Sequence, residues 1–129
     1  MIITDTLSNF FSKIKNGYLA KKNKIIQFKS KQIINILNIL IKEGLVKSFK
    51  ISKKNKNIIY IYLKYKNNKP IIQQIIKISK PSRRIYVKNK DLFKIKKKGI
   101  YLISTSFGIY TILQAKKLNI GGELICNIY

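Results

Sequence analysis

Two short stretches hold most of the residues able to bind or to react. Ser104, Thr105, Ser106, Phe107 and Gly108 form a run without lysine in a lysine-rich chain. Its hydroxyls and backbone N–H groups are short-range donors and acceptors, suited to sugars, base edges and the 2′-hydroxyls of a shallow RNA minor groove. The second stretch, Arg83 to Lys88, carries the only two arginines, Arg83 and Arg84, followed by Tyr86. A guanidinium grips a phosphate bidentately or stacks on a base, which an ammonium does less well. Tyr86 adds an aromatic platform for an unstacked base. The competing reading of the first stretch is a serine nucleophile, which requires a general base nearby. A chain with no His and four separated carboxylates is poorly equipped to supply one, so the reading is binding without catalysis.

Charge points the same way. Twenty-eight Lys and Arg against four Asp and Glu give a formal charge of +24 on 129 residues. That charge repels itself in a free compact domain and is relieved against a polyanion. Apolar residues make up 46% of the chain, which is more than a disordered basic tail carries. Nucleic acid is therefore the expected partner. Lys13, Lys15, Lys21 and Lys22 are candidates for one phosphate-contacting edge, and Lys54 and Lys56, in the Lys- and Asn-rich stretch 53–57, for another.

Other classes fare worse. No run of eighteen uncharged apolar residues is present, so a membrane span is not expected. One Cys and no His rule out a structural zinc site and an internal disulfide, and Cys126 reads as a buried thiol. Gly121 and Gly122 lack the spacing and terminal Lys of a phosphate loop, so no cofactor, metal or small-molecule substrate is expected. The first residues show no targeting segment, which predicts a product made where it works or already trimmed. Ile, Lys and Asn dominate the composition, as A/T-rich coding would produce.

The elements that must hold these residues are legible in outline. Thr4 or Asp5 caps a first helix with Leu7, Phe10, Phe11 and Ile14 on one face, stopped by Gly17. A short strand, Ile25 to Phe28, precedes a second helix capped by Ser30 and running to about Glu43, with Ile33, Ile34, Leu37, Leu40 and Ile41 inward and Gly44 ending it. Leu45 to Ser52 and Ile58 to Lys66 read as a hairpin, with Tyr60 and Tyr62 on the face opposite Ile59, Ile61 and Leu63. Asn67, Asn68, Lys69 and Pro70 mark a boundary. Beyond it come strands at Ile71 to Ser79 and Arg83 to Lys88, a turn and short helical piece from Asp91 to Lys96, and a buried strand from Ile100 to Ile103 opening into the serine loop. Thr111 caps a short last helix with Gln114 completing the box, and Glu123 to Tyr129 closes the fold. Gly121 and Gly122 allow the turn between them, and Glu123 has a structural role, pinning a basic side chain or a backbone amide. The fold class is α+β in two small domains: a helix-strand-helix-hairpin domain over 1–66 and a β-rich RNA-binding domain with a short helix over 67–129.

Three stretches carry a resemblance: DTLSNFFSKIKNG at 5–17, KISKPSRRIYVK at 77–88 and GIYLISTSFGIYTILQAKKLNIGGELICNIY at 99–129. In combination and in order, over essentially the full length, they resemble the bacterial and organellar small-subunit ribosomal protein of family eight. The resemblance implies a structural constituent of the small ribosomal subunit that binds the central domain of its rRNA and helps organise assembly, with no catalysis. It implies that Ser104, Thr105 and Ser106 enter the minor-groove side of an irregular RNA loop, supported by Tyr86 and nearby basic residues. It also implies neighbouring small-subunit proteins, five and two among them, and a ribosome in a mitochondrion, a plastid or a bacterial cytoplasm, with composition leaning to an organelle. Many relatives carry a basic residue where this chain has Phe107, an acidic and basic pair where it has Ile112 and Leu113, and a glycine where it has Ser82. A general DNA-compacting protein and a peripheral membrane binder are the alternatives; the first predicts similar affinity for duplex DNA and structured RNA with no preference for an internal loop, the second vesicle binding without RNA.

Overall fold

The structure is a computed structural model and describes residues 5–79, 82–94 and 99–129. The chain divides into two compact units, residues 9–73 and residues 1–8 with 74–129.

Helix α1 (Asp5–Leu19), which belongs to the first unit from Asn9 onward, places Phe10, Phe11, Ile14 and Tyr18 in the interior. Its N-cap lies outside the described residues. Gly17 does not stop the helix: it is a buried helical residue, and a β-carbon there would come within 2.7 Å of Ile25 Cγ2. The glycine is there for close approach of helix and strand, and the chain turns instead at Lys21, whose φ of 53° is left-handed. The last turn is held from outside the helix, because Tyr18 donates its hydroxyl to the Leu45 carbonyl at 2.8 Å and accepts from the Lys64 N–H at 3.1 Å.

Strand β1 (Lys24–Phe28) and helix α2 (Lys31–Lys42) follow. Ser30 caps α2 by accepting from the Ile33 N–H at 3.1 Å, and Gly44 follows its end in the left-handed region. Ile33, Ile36, Leu37 and Leu40 are its buried residues, whereas Ile34 and Ile41, expected inside, are half-buried. The buried stripe is thus rotated toward Ile36. Strands β2 (Ser48–Ile51) and β3 (Ile58–Tyr62) complete an antiparallel sheet of order β1-β3-β2. Ile59 and Ile61 are fully buried and Tyr60 and Tyr62 half-buried, as the alternation predicts. Asn67 and Asn68, at φ 53° and 63°, turn a two-stranded hairpin of β4 (Tyr65–Lys66) and β5 (Lys69–Pro70).

The second unit is a five-stranded antiparallel sheet with a short helix. Its central strand is β10 (Gly122–Ile128), paired on one side with β8 (Ile100–Thr105) and on the other with β6 (Ile75–Lys77) and then β7 (Tyr86–Val87). The expected long strands at 71–79 and 83–88 shrink to these two short pieces, because each pairs with only part of β10. A 3-10 helix (Asn89–Lys94) stands where the helical piece was expected; 95–98 lie outside the described residues. The core gathers Leu92, Ile103, Ile112, Ala115 and Leu124, and Cys126 is fully buried.

One element was missed by the sequence. After β8 the chain makes a two-residue turn at Ser106 and Phe107 and returns as strand β9 (Gly108–Thr111) before helix α3 (Ile112–Leu118). The hydroxyl-rich stretch is therefore the tip of a β-hairpin, not a loop between strand and helix.

Candidate nucleic-acid interface

Register builds the site in the second unit. Tyr86 pairs with Glu123 across β7 and β10, and Glu123 pairs with Ser104 across β10 and β8. Opposed residues on antiparallel strands share a face, so Tyr86, Glu123 and Ser104 form one cross-strand row about 10 Å long. Its outer member, Tyr86, is 68% exposed, while Glu123 and Ser104 are buried. The Ser104 Oγ and both Glu123 carboxylate oxygens have no hydrogen-bond partner among the described residues, and the expected pin from Glu123 to a basic side chain or amide is not among the bonds these residues make. Buried polar atoms without partners are uncommon, and these three hold unused accepting capacity that an outside donor reaches only if the row opens.

The hairpin tip is stiff. Thr105 donates its hydroxyl to the Gly108 carbonyl at 2.8 Å and accepts from the Phe107 N–H at 3.1 Å, so this hydroxyl is committed to the turn. Of the three hydroxyl residues predicted to face RNA, Ser106 alone is exposed, beside Phe107 at 74% exposure. Thr111 then ends β9 and caps α3: its hydroxyl accepts from the Gln114 N–H at 3.3 Å while the Gln114 side chain accepts from the Thr111 N–H at 3.1 Å. The helix closes on Asn119, at φ 56°. Gly121 and Gly122 serve close approach, for a β-carbon on either would collide with a backbone carbonyl, that of Val87 or of Ser104.

The arginine segment is anchored at its base. Ser79 Oγ accepts from the Ile85 N–H at 2.8 Å, and the Ile85 carbonyl accepts from the Leu124 N–H at 2.8 Å. Arg83 is exposed; Arg84 is half-buried, with its Nε buried and unpartnered among the described residues.

The predicted lysines all belong to the first unit. Lys13, Lys15, Lys21 and Lys22 are exposed, and of these Lys13 and Lys22 line one groove along the last turns of α1, together with Lys24. Lys54 and Lys56 are exposed on the β2–β3 loop. That loop is ordered by Asn55, whose side chain accepts from the Asn57 N–H at 3.0 Å and whose carbonyl accepts from the Ile58 N–H at 3.1 Å. No described helix is long and apolar enough to cross a membrane.

A family model described as Ribosomal protein S8 matches residues 5–129. The chain is 40% identical to the small ribosomal subunit protein uS8 of Buchnera aphidicola (subsp. Baizongia pistaciae), covering 99% of each chain. It is 39% identical to uS8 of Ehrlichia chaffeensis over the whole of both, and 36% identical to uS8c of Chlorella vulgaris over 99% of this chain and 100% of that one. With the family model spanning both units and relatives matched end to end, the chain belongs to the ribosomal protein S8 family.

Proposed function

We infer that this chain is a structural, rRNA-binding constituent of the small ribosomal subunit, with no enzymatic activity, as its family membership entails. We further propose that it binds the central domain of that rRNA through the row of Tyr86, Glu123 and Ser104 and the adjoining hairpin tip. The observation that carries the proposal is the combination, in one row, of an exposed aromatic ring with a buried hydroxyl and a buried carboxylate that have no partner among the described residues. A nucleotide lodged there would stack on the exposed Tyr86 and, by opening the row, offer amino or 2′-hydroxyl donors to Glu123 and Ser104. Arg83 and Arg84 would grip the flanking phosphates. The dispersed lysines add attraction that is blind to sequence and sensitive to salt.

Two finer points rest on the resemblance. Small-subunit proteins five and two are proposed as neighbours, and an organellar ribosome is proposed on composition, the matched relatives including both bacterial proteins and an algal uS8c. Nothing observed favours a general compacting role. Crosslinking within the assembled subunit, followed by sequencing of the adducted RNA, tests the proposal. Adducts between the central domain and peptides bearing 83–86 or 104–108 are expected; a hairpin tip that crosslinks only to protein would sink it.

A further inference from the structure

The three-stranded sheet of the first unit has a second face. Its buried face carries Ile25, Gln27, Ile59 and Ile61. On the other, β1 sets Lys24, Ile26 and Phe28 opposite Tyr62, Tyr60 and Ile58 of β3, and β2 adds Ser48 and Lys50 opposite Tyr62 and Tyr60. Phe28 is 68% and Ile26 55% exposed, beside the half-buried tyrosines and Ile58. Single exposed apolar residues need no explanation, but a contiguous patch of them marks an interaction surface.

The charge around the patch selects its partner. The ionisable groups of known sign on this face are lysines, and Glu43 is the only acid between residues 9 and 73. The Lys24 ammonium lies 4.9 Å from the Tyr60 ring centroid, and Lys24 is also a wall of the groove that Lys13 and Lys22 line. Stacking rings and a lysine-lined groove thus meet at one residue. Tyr60 and Tyr62 are two positions apart on one strand, so their Cα atoms lie roughly 6.5 Å apart along it and both side chains rise from the same face. Aromatic rings in sequence beside a cationic track are what unpaired nucleotides require, each base having a π-face whatever its identity. An apolar protein surface would leave the lysines facing it unsatisfied.

We propose that this face is a second RNA-binding surface, taking a single-stranded segment with its bases on Phe28, Tyr60 and Tyr62 and its phosphates along Lys13, Lys22 and Lys24. That the nucleic acid is RNA rests on the function proposed above; the surface itself lies in the other unit and uses other residues.

The test is fluorescence anisotropy of the full chain with a short oligouridylate free of secondary structure, beside a structured central-domain rRNA fragment, at matched salt. Substituting Tyr60→Ser and Tyr62→Ser together is expected to weaken the oligouridylate roughly tenfold or more and to leave the structured fragment nearly unchanged. The pair Tyr60→Phe and Tyr62→Phe should bind like the parent chain. Phe28→Ser, at a ring already mostly in solvent, gives the same answer with little demand on folding. Oligouridylate affinity that ignores the rings and follows the lysines alone overturns the proposal. So does self-association, seen by sedimentation, that the serine variants abolish while oligouridylate binding is unchanged, since the face would then be covered by a second copy. Failure of the parent chain itself to bind the structured fragment would count against the central-domain reading instead, and leave the oligouridylate result to stand or fall separately.

Discussion

Gly122 stands so close to Ser104 that any side chain on it would collide with the Ser104 carbonyl oxygen. The obstacle is backbone, which cannot swing aside as the end of a flexible side chain does. The close approach also sits beside the Glu123–Ser104 pairing, so relief of the clash has to displace the row proposed to meet RNA. Gly122→Ala is therefore expected to cost about 1–3 kcal/mol of stability. Urea denaturation measures that cost, and binding to the central-domain fragment should weaken even in conditions where the variant is fully folded.

Ser104 itself separates stability from recognition. Its hydroxyl is buried and bonds to nothing among the described residues, so removing it removes an unpaired polar atom rather than a hydrogen bond. Such a deletion is neutral or slightly stabilising in a protein without its ligand. Ser104→Ala should therefore unfold at the same urea concentration as the parent chain or a higher one, while its preference for the cognate RNA over an unrelated structured RNA falls. Thr105→Ala should do the opposite first: it breaks two bonds within the turn and destabilises the hairpin before any RNA is present.

Lys54 and Lys56 supply the contrast. They stand exposed on a loop that Asn55 orders from within, so neutralising them leaves the loop intact. Lys54→Gln with Lys56→Gln is expected to weaken cognate and unrelated RNAs alike. The slope of log affinity against log salt should fall in magnitude by about 1 for each phosphate that is no longer neutralised. A titration series in salt, with both RNAs, reads the slope and the preference together; a weakening confined to the cognate RNA would make these lysines readers of shape instead.

Much of this arrangement was legible in the sequence, and the misses have physical causes. The capping box of Thr111 and Gln114 could be read from spacing alone because it is a local device, complete within four residues. Alternation in the same way told the buried Ile59 and Ile61 from Tyr60 and Tyr62. Gly17 misled because a glycine after an amphipathic run usually ends it, whereas here the last turn is tied through the Tyr18 hydroxyl to the Leu45 carbonyl and the Lys64 N–H, both far along the chain. Strand β9 was hidden by its length, four residues whose last is also a helix cap. The Tyr86–Glu123–Ser104 row and the open face around Phe28 depend on register between distant strands. No local pattern encodes that, although the residue types at both sites were in view.

The buried thiol and phenol give the fold a predictable response to alkali. Burial pushes the Cys126 thiol well above its ordinary 9.0, and burial, more than any neighbour, raises the Tyr18 hydroxyl above 10.0. Between its unfolded and folded values such a group has lost its proton in the unfolded chain and kept it in the folded one, so the unfolded state binds fewer protons and stability falls as pH rises. The contribution is therefore whole below pH 9 and is lost as pH climbs past 9 for Cys126 and past 10 for Tyr18. The difference between parent and Cys126→Ala isolates the thiol, since every other group is common to both. Thermal unfolding across the range should show the parent losing stability relative to the variant from pH 9 upward and a constant offset below it. A difference that stays flat with pH would mean that the Cys126 thiol ionises in the folded chain as readily as in the unfolded one.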